Sequence, residues 1–125
     1  MRNIRAWDDI AKKMSYGKIE QFDDMLGYRF DHFETEKPVY MWSIGIKDMN
    51  GKDIFIDDIF PSTPRTRDEV TIICYDSRQG RYKAVPLGLY KRNAGNGGWT
   101  GYDVNPYSEV IGNVHEHPHL LEESK

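Results

Sequence analysis

Three histidines at alternate positions, His115, His117 and His119, come closest in type and spacing to suggesting chemistry. In an extended segment their imidazoles would project from one face, as a metal-dependent hydrolase site would need. Pro118 opposes a regular strand there, and a working site would need an ordered outer shell and a pocket. Adventitious capture of nickel or zinc is the competing reading. Asp57 and Asp58 form a second candidate, but neighbours on a strand face opposite sides and cannot jointly hold one ion unless the chain bulges. One reads as a turn or cap residue and the other as solvated. Asp8-Asp9, Asp23-Asp24 and Glu122-Glu123 read as surface or turn acids. Cys74 stands in a β-branched run and reads as a packed, inert thiol. Apart from His32, the histidines lie far along the chain from it, so spacing offers no support for a Cys–His arrangement.

Arg65, Arg67, Arg78, Arg81, Lys83, Lys91 and Arg92 interleave with Tyr75, Tyr82 and Tyr90. A basic, aromatic face on a small barrel can hold single-stranded nucleic acid. The best candidates for such contacts are Arg65, Arg67, Arg78, Arg81 and Lys83. Gly95, Gly97, Gly98 and Gly101 lack the G-x-G-x-x-G spacing, and no Gly-Lys-Ser/Thr follows, so they read as a flexible loop. Trp99 and Tyr102 are candidate interface residues, with burial of Trp99 as a loop anchor the competing reading.

The elements that must carry these residues are mostly strands. Ile4 to Trp7 alternates, and Lys12 to Gly17 reads as its returning partner. Ile19, Phe22, Leu26, Phe30 and Phe33 have helical spacing and predict a helix near 18–26. Val39 to Lys47 reads as a strand, Asn50-Gly51 as a tight turn, and Ile54, Ile56 and Phe60 as the return. Thr66-x-x-Glu69 matches a capping box. The β-branched run Val70 to Tyr75 overrides it and predicts a strand. Tyr82 to Leu87 returns after a turn, Glu109 to Val114 is the last strand, and Pro118 starts a short helical turn. The predicted fold is α+β and mainly β: a small barrel-like antiparallel sheet with an N-terminal hairpin and one or two short helices. It is read as a single domain over 1–125, with a hairpin and helix region at 1–37 and a β-rich body at 38–125.

Composition excludes several classes. One cysteine rules out an internal disulfide and any multi-cysteine zinc site. No apolar run approaches a membrane span, and no signal peptide is visible, so a soluble cytoplasmic protein is expected. No cofactor motif is present. The net charge is −3, with a basic middle between acidic flanks, which fits either a polyanion patch or internal charge matching.

Three segments together resemble the YopX family of small phage and prophage proteins. Ile4-Arg5-Ala6-Trp7-Asp8 with Lys13-Met14 is similar to that family's opening "(F)RAWD…KKM". Gly45 to Phe55 is similar to its "TGLKDKNGKEIYEGDIV" segment. Val110-Ile111-Gly112-Asn113-Val114 with Pro118-His119-Leu120-Leu121 is similar to "VIGNIYENPELL". The resemblance implies a phage-encoded or prophage-encoded cytoplasmic protein of mainly β fold. It implies no activity, and it carries over no catalytic or ligand residue. This chain departs from the pattern in two places. Asp57-Asp58 replaces the Gly-Asp before the second strand, which puts in question any positive φ there. The histidines at 115, 117 and 119 are this chain's own.

Three functions are carried forward. The first is a non-enzymatic protein-interaction module, self-associating or binding a host or phage protein. The second is a nucleic-acid-binding module, and the third is a metal-dependent hydrolase at the histidines. No membrane partner is expected.

Overall fold

A computed structural model describes residues 3–18, 33–62, 69–92 and 98–122. The helix expected near 18–26 lies outside these residues. The described residues form eight strands: β1 (Asn3–Asp8), β2 (Lys13–Lys18), β3 (Val39–Lys47), β4 (Asp53–Phe55), β5 (Asp58–Phe60), β6 (Thr71–Asp76), β7 (Arg81–Pro86) and β8 (Gly112–Asn113). A six-residue helix, α1 (Leu87–Arg92), follows β7, and Pro118–Leu121 forms a 3-10 turn. The mainly β, α+β architecture is as expected.

The strands form two antiparallel sheets, ordered β2-β1-β3-β4 and β7-β6-β5-β8. The return strand expected over 54–60 is broken at Ile56-Asp57, and the break joins the sheets. The Ile56 N–H donates to Trp42 O in the first sheet at 3.1 Å, and the next N–H, of Asp57, donates to Ile73 O in the second at 2.8 Å. Asp57 makes the corner with φ +75, a left-handed conformation usually left to glycine. Gly45, at φ +91, lies within a register irregularity between Ser43 and Lys47 of β3, and the sheet curls into a half-barrel.

β6 is buried on both faces, which explains its unbroken β-branched run. Ile72 and Cys74 pack with Ile59, Val85 and Leu87, flanked by Tyr90, Trp99 and Leu120. Ile73 packs on the other face with Ile54, Phe60 and Ala84. Helix α1 was not expected from the sequence, because its cap comes from a distant segment. Val70 O accepts from the Leu87 N–H, and the Glu69 carboxylate accepts from the Gly88 N–H at 3.2 Å.

Buried Asp and Asn side chains close the turns. Asp8 accepts from the N–H groups of Ile10 and Ala11, Asp48 from those of Asn50 and Lys52, Asp76 from those of Arg78 and Gln79, and Asn113 from those of His115 and Glu116. Each aspartate also holds a remote segment: Asp8 takes the Glu34 N–H, Asp48 the Val110 N–H and Asp76 the Trp99 N–H. Asp8 is thus a buried latch rather than a surface acid.

Candidate functional site

The curl of the first sheet brings together strands that are not neighbours. Asn3, Arg5 and Trp7 share one face of β1 by alternation. Across β3, Asn3 on β1 hydrogen-bonds Asp53 on β4. Tyr16, paired with Arg5 on β2, meets the Phe55 ring edge-on at 5.9 Å. Between them lies an open cavity of about 430 Å³, lined by Asn3, Arg5, Tyr16, Gly17, Lys52, Asp53 and Phe55. That volume is within the usual range for small-molecule pockets.

Arg5 is 1% exposed. Its guanidinium lies 4.6 Å from the Phe55 ring centroid, Nη2 donates to Ile56 O at 3.0 Å, and Nη2 stands 2.9 Å from Asp58 Oδ1. Arg5 Nε has no hydrogen-bond partner among the described residues. Asp58, expected to be solvated if Asp57 made the turn, is instead buried; its other oxygen accepts from the Phe55 N–H at 2.7 Å. Burial pushes the Asp58 carboxyl above the usual carboxylate range, against the opposing pull of Arg5. At the rim, Lys52 is exposed and forms no ion pair among the described residues. Asp53 is already engaged by Asn3 and by Lys47 at 3.2 Å.

A second cavity, of about 410 Å³, opens beside α1 and touches Asp57, Cys74, Tyr90, Lys91 and Trp99. The Cys74 thiol donates to Ile72 O at 3.6 Å. Burial, then the Asp57 charge, pushes this thiol far up, so the thiolate a nucleophile needs is disfavoured. Burial, with Asp57 and Cys74 adding to it, pushes the Tyr90 phenol up to about 12. Trp99 is half-buried and stacked on Tyr90 at 5.5 Å and 13°. Tyr102 is half-buried too, and its backbone bridges to Ala84 on β7.

The histidines do not form an extended row. His115 Nε2 lies 3.0 Å from Asp57 Oδ2, and its ring stacks on Trp7 at 5.8 Å. His117 Nδ1 accepts from the Asn113 N–H, and His119 sits inside the 3-10 turn. Among the described residues no group of three or more His, Cys, Asp or Glu side chains is placed to hold a metal ion.

The basic candidates separate. Arg65 and Arg67 lie outside the described residues. Arg78 and Arg81 are exposed at the β6–β7 hairpin, where Arg81 pairs with Asp103. Lys83 is buried, with Nζ 2.8 Å from Asp76 and 2.7 Å from Trp99 O. It holds the fold together and is not offered to a polyanion. On the hairpin, Tyr75 and Tyr82 face each other at 5.1 Å.

Sequence reasoning passed over Met49 and Tyr107. Met49 is 61% exposed and Tyr107 is 84% exposed. The Met49 N–H donates to Ser108 O at 3.0 Å, which holds the two turns that carry these residues together as one tip. The available signal was a large apolar residue beside the Asn50-Gly51 turn and another just after Pro106, outside the predicted strands.

These features define a mainly β half-barrel protein with a lined cavity and an apolar tip. A family model described as YopX protein matches residues 3–122, and the chain belongs to the YopX family. Its fold is similar to that in the crystal structure of protein EF1440 from Enterococcus faecalis, with 24% identity, a TM-score of 0.53, and coverage of 98% of this chain and 99% of that one. No curated protein matches the chain. Among the described residues, no helix is long and apolar enough to cross a membrane.

Proposed function

We propose that this chain is a non-enzymatic protein-interaction module of a phage or prophage, acting in the host cytoplasm. The observation that carries the reading is the tip. Met49 and Tyr107 project large apolar side chains into water from two segments that are already fastened together. The Asp48 carboxylate binds the N–H groups of Asn50, Lys52 and Val110, so little order remains to be gained when a partner docks. Large exposed apolar and aromatic residues on a fixed backbone suit the centre of an interface. The partner is a host or phage protein, or a second copy of the chain. The test combines light scattering of the purified protein with cross-linked capture from infected host lysate. Met49→Ser/Tyr107→Ser should keep the wild-type circular dichroism spectrum and lose the bound species. A wild-type monomer that captures nothing, or a variant that captures the same species equally, defeats the reading.

A second reading, nucleic-acid binding, is supported by the Tyr75–Tyr82 pair beside exposed Arg78 and Arg81. Arg78→Gln/Arg81→Gln should weaken oligonucleotide binding and reduce its salt slope by up to about 2. No salt-sensitive binding of single-stranded or duplex oligonucleotides at low ionic strength removes this reading.

A further inference from the structure

We propose that the cavity over Arg5 is a binding site for a carboxylate carried on an apolar or aromatic body. The walls supply the apolar half of the recognition. Tyr16 and Phe55 meet edge to face across the curled sheet, and Tyr16 keeps 54% of its surface exposed. A ring or alkyl chain placed there would cover aromatic surface that water now covers.

Charge selects an anion. Two cations line the cavity, Arg5 within it and Lys52 at its rim, against one acid, Asp53. Asp53 is already occupied by Asn3 and Lys47. Arg5 has five N–H donors, of which Nη2 serves Ile56 O and faces Asp58, while Nε serves nothing among the described residues. Its counter-ion, Asp58, is buried with it and contacts the guanidinium through Nη2 at 2.9 Å. Lys52 favours the charged form of Asp58, so its ammonium acts into the same region as the guanidinium. A carboxylate at the rim would meet the Lys52 ammonium directly and lie in the field of the buried Arg5 guanidinium, and a charge-assisted contact of the first kind is among the stronger hydrogen bonds.

This site is separate from the Met49 and Tyr107 tip. Substitutions at the tip should leave it unchanged, so either idea can fail alone. The chemistry has two sources: a free aryl or alkyl acid, or the carboxy-terminal residue of a peptide. Isothermal titration with phenylacetate, N-acetylphenylalanine, their uncharged amides and inorganic phosphate separates them. At least one acid should bind roughly 10-fold more tightly than its amide and more tightly than phosphate. A preference for N-acetylphenylalanine over phenylacetate assigns a peptide terminus, and the reverse assigns a free acid. Arg5 supports the fold, so the variants are placed elsewhere. Lys52→Gln should weaken the better acid roughly 3-fold or more, and Tyr16→Ala roughly 10-fold. Arg78→Gln, on the distant hairpin, should change nothing. Equal affinity for acid and amide, phosphate binding as tightly as either acid, unaltered affinity in both variants, or no binding of any probe overturns the proposal.

Discussion

Asp57 holds its backbone at φ +75, where a β-carbon crowds the neighbouring carbonyl and glycine is the ordinary occupant. Its carboxylate reaches His115, which stacks on Trp7, so this corner residue also ties the C-terminal segment to β1. Asp57→Gly and Asp57→Ala both delete that contact, but only alanine must still force a β-carbon into the left-handed region. In urea denaturation, alanine should therefore be less stable than glycine by about 1 kcal/mol. Equal stabilities would mean that the corner relaxes when the side chain is cut. The acids that looked chemically suggestive can be understood at this scale. Asp8 closes a turn, one of the two readings its position offered, and Asp48 and Asp76 close turns at which the sequence reading had singled out no acid. The sequence could not show that each also binds a segment far away, since that depends on tertiary placement. Asp58 was misread for a related reason. Strand alternation predicts two faces for Asp57 and Asp58, but not that one face contains a buried arginine from β1.

At the scale of elements, the strands were legible wherever their pairing is local. β1 with β2, β3 with β4, and β6 with β7 follow from alternation, turn chemistry and β-branched runs. The six-residue α1 was not legible, and the last strand, read over 109–114, shrinks to the two-residue β8. One is capped by Glu69 and Val70 from before β6, and the other exists only because β5 offers it an edge. The Ala84–Tyr102 bridge is another non-local joint, and Gly101 permits it. A β-carbon at Gly101 would stand 2.6 Å from the Ala84 carbonyl oxygen and 3.2 Å from Val85 Cα, both backbone atoms that cannot step aside. Gly101→Ala should cost roughly 1–3 kcal/mol and expose the edge of β7. Hydrogen exchange should then be faster at the Ala84 amide, which donates to Tyr102 O. Unchanged protection there would show that the bridge contributes little to that edge. The candidate sites were less readable than the strands. Arg5, Tyr16, Lys52 and Phe55 meet only when the sheet curls, and no spacing along the chain encodes the curl.

At the scale of the whole molecule, the fold is fastened by carboxylates that must stay ionised. Asp76 is held far below the usual carboxylate range, first by the Lys83 ammonium and then by N–H donors that outweigh its desolvation. In Asp48 and Asp8 burial pushes the carboxyl up, but the N–H groups they accept from push it down further, and the net direction is down. A group whose folded-state pKa is depressed contributes stability above its unfolded value, here near 3.8. That contribution is lost as pH falls through the folded value. Asp58 has the opposite sign: its raised value means that its protonation favours the folded state as pH drops toward 3.8. The urea midpoint should therefore rise slightly as Asp58 takes up its proton above pH 3.8, then fall below pH 3.8 as the contribution of the three latches is lost. Asp76→Asn keeps a side-chain acceptor for the turn but cannot titrate, and it leaves Lys83 buried without its counter-ion. This variant should be less stable than the wild type at pH 7 and should lose less between pH 4 and pH 2, so that the two curves converge in acid. Parallel curves would place the acid sensitivity in other groups, and Asp76 would then be holding its turn and Trp99 by hydrogen-bond geometry alone.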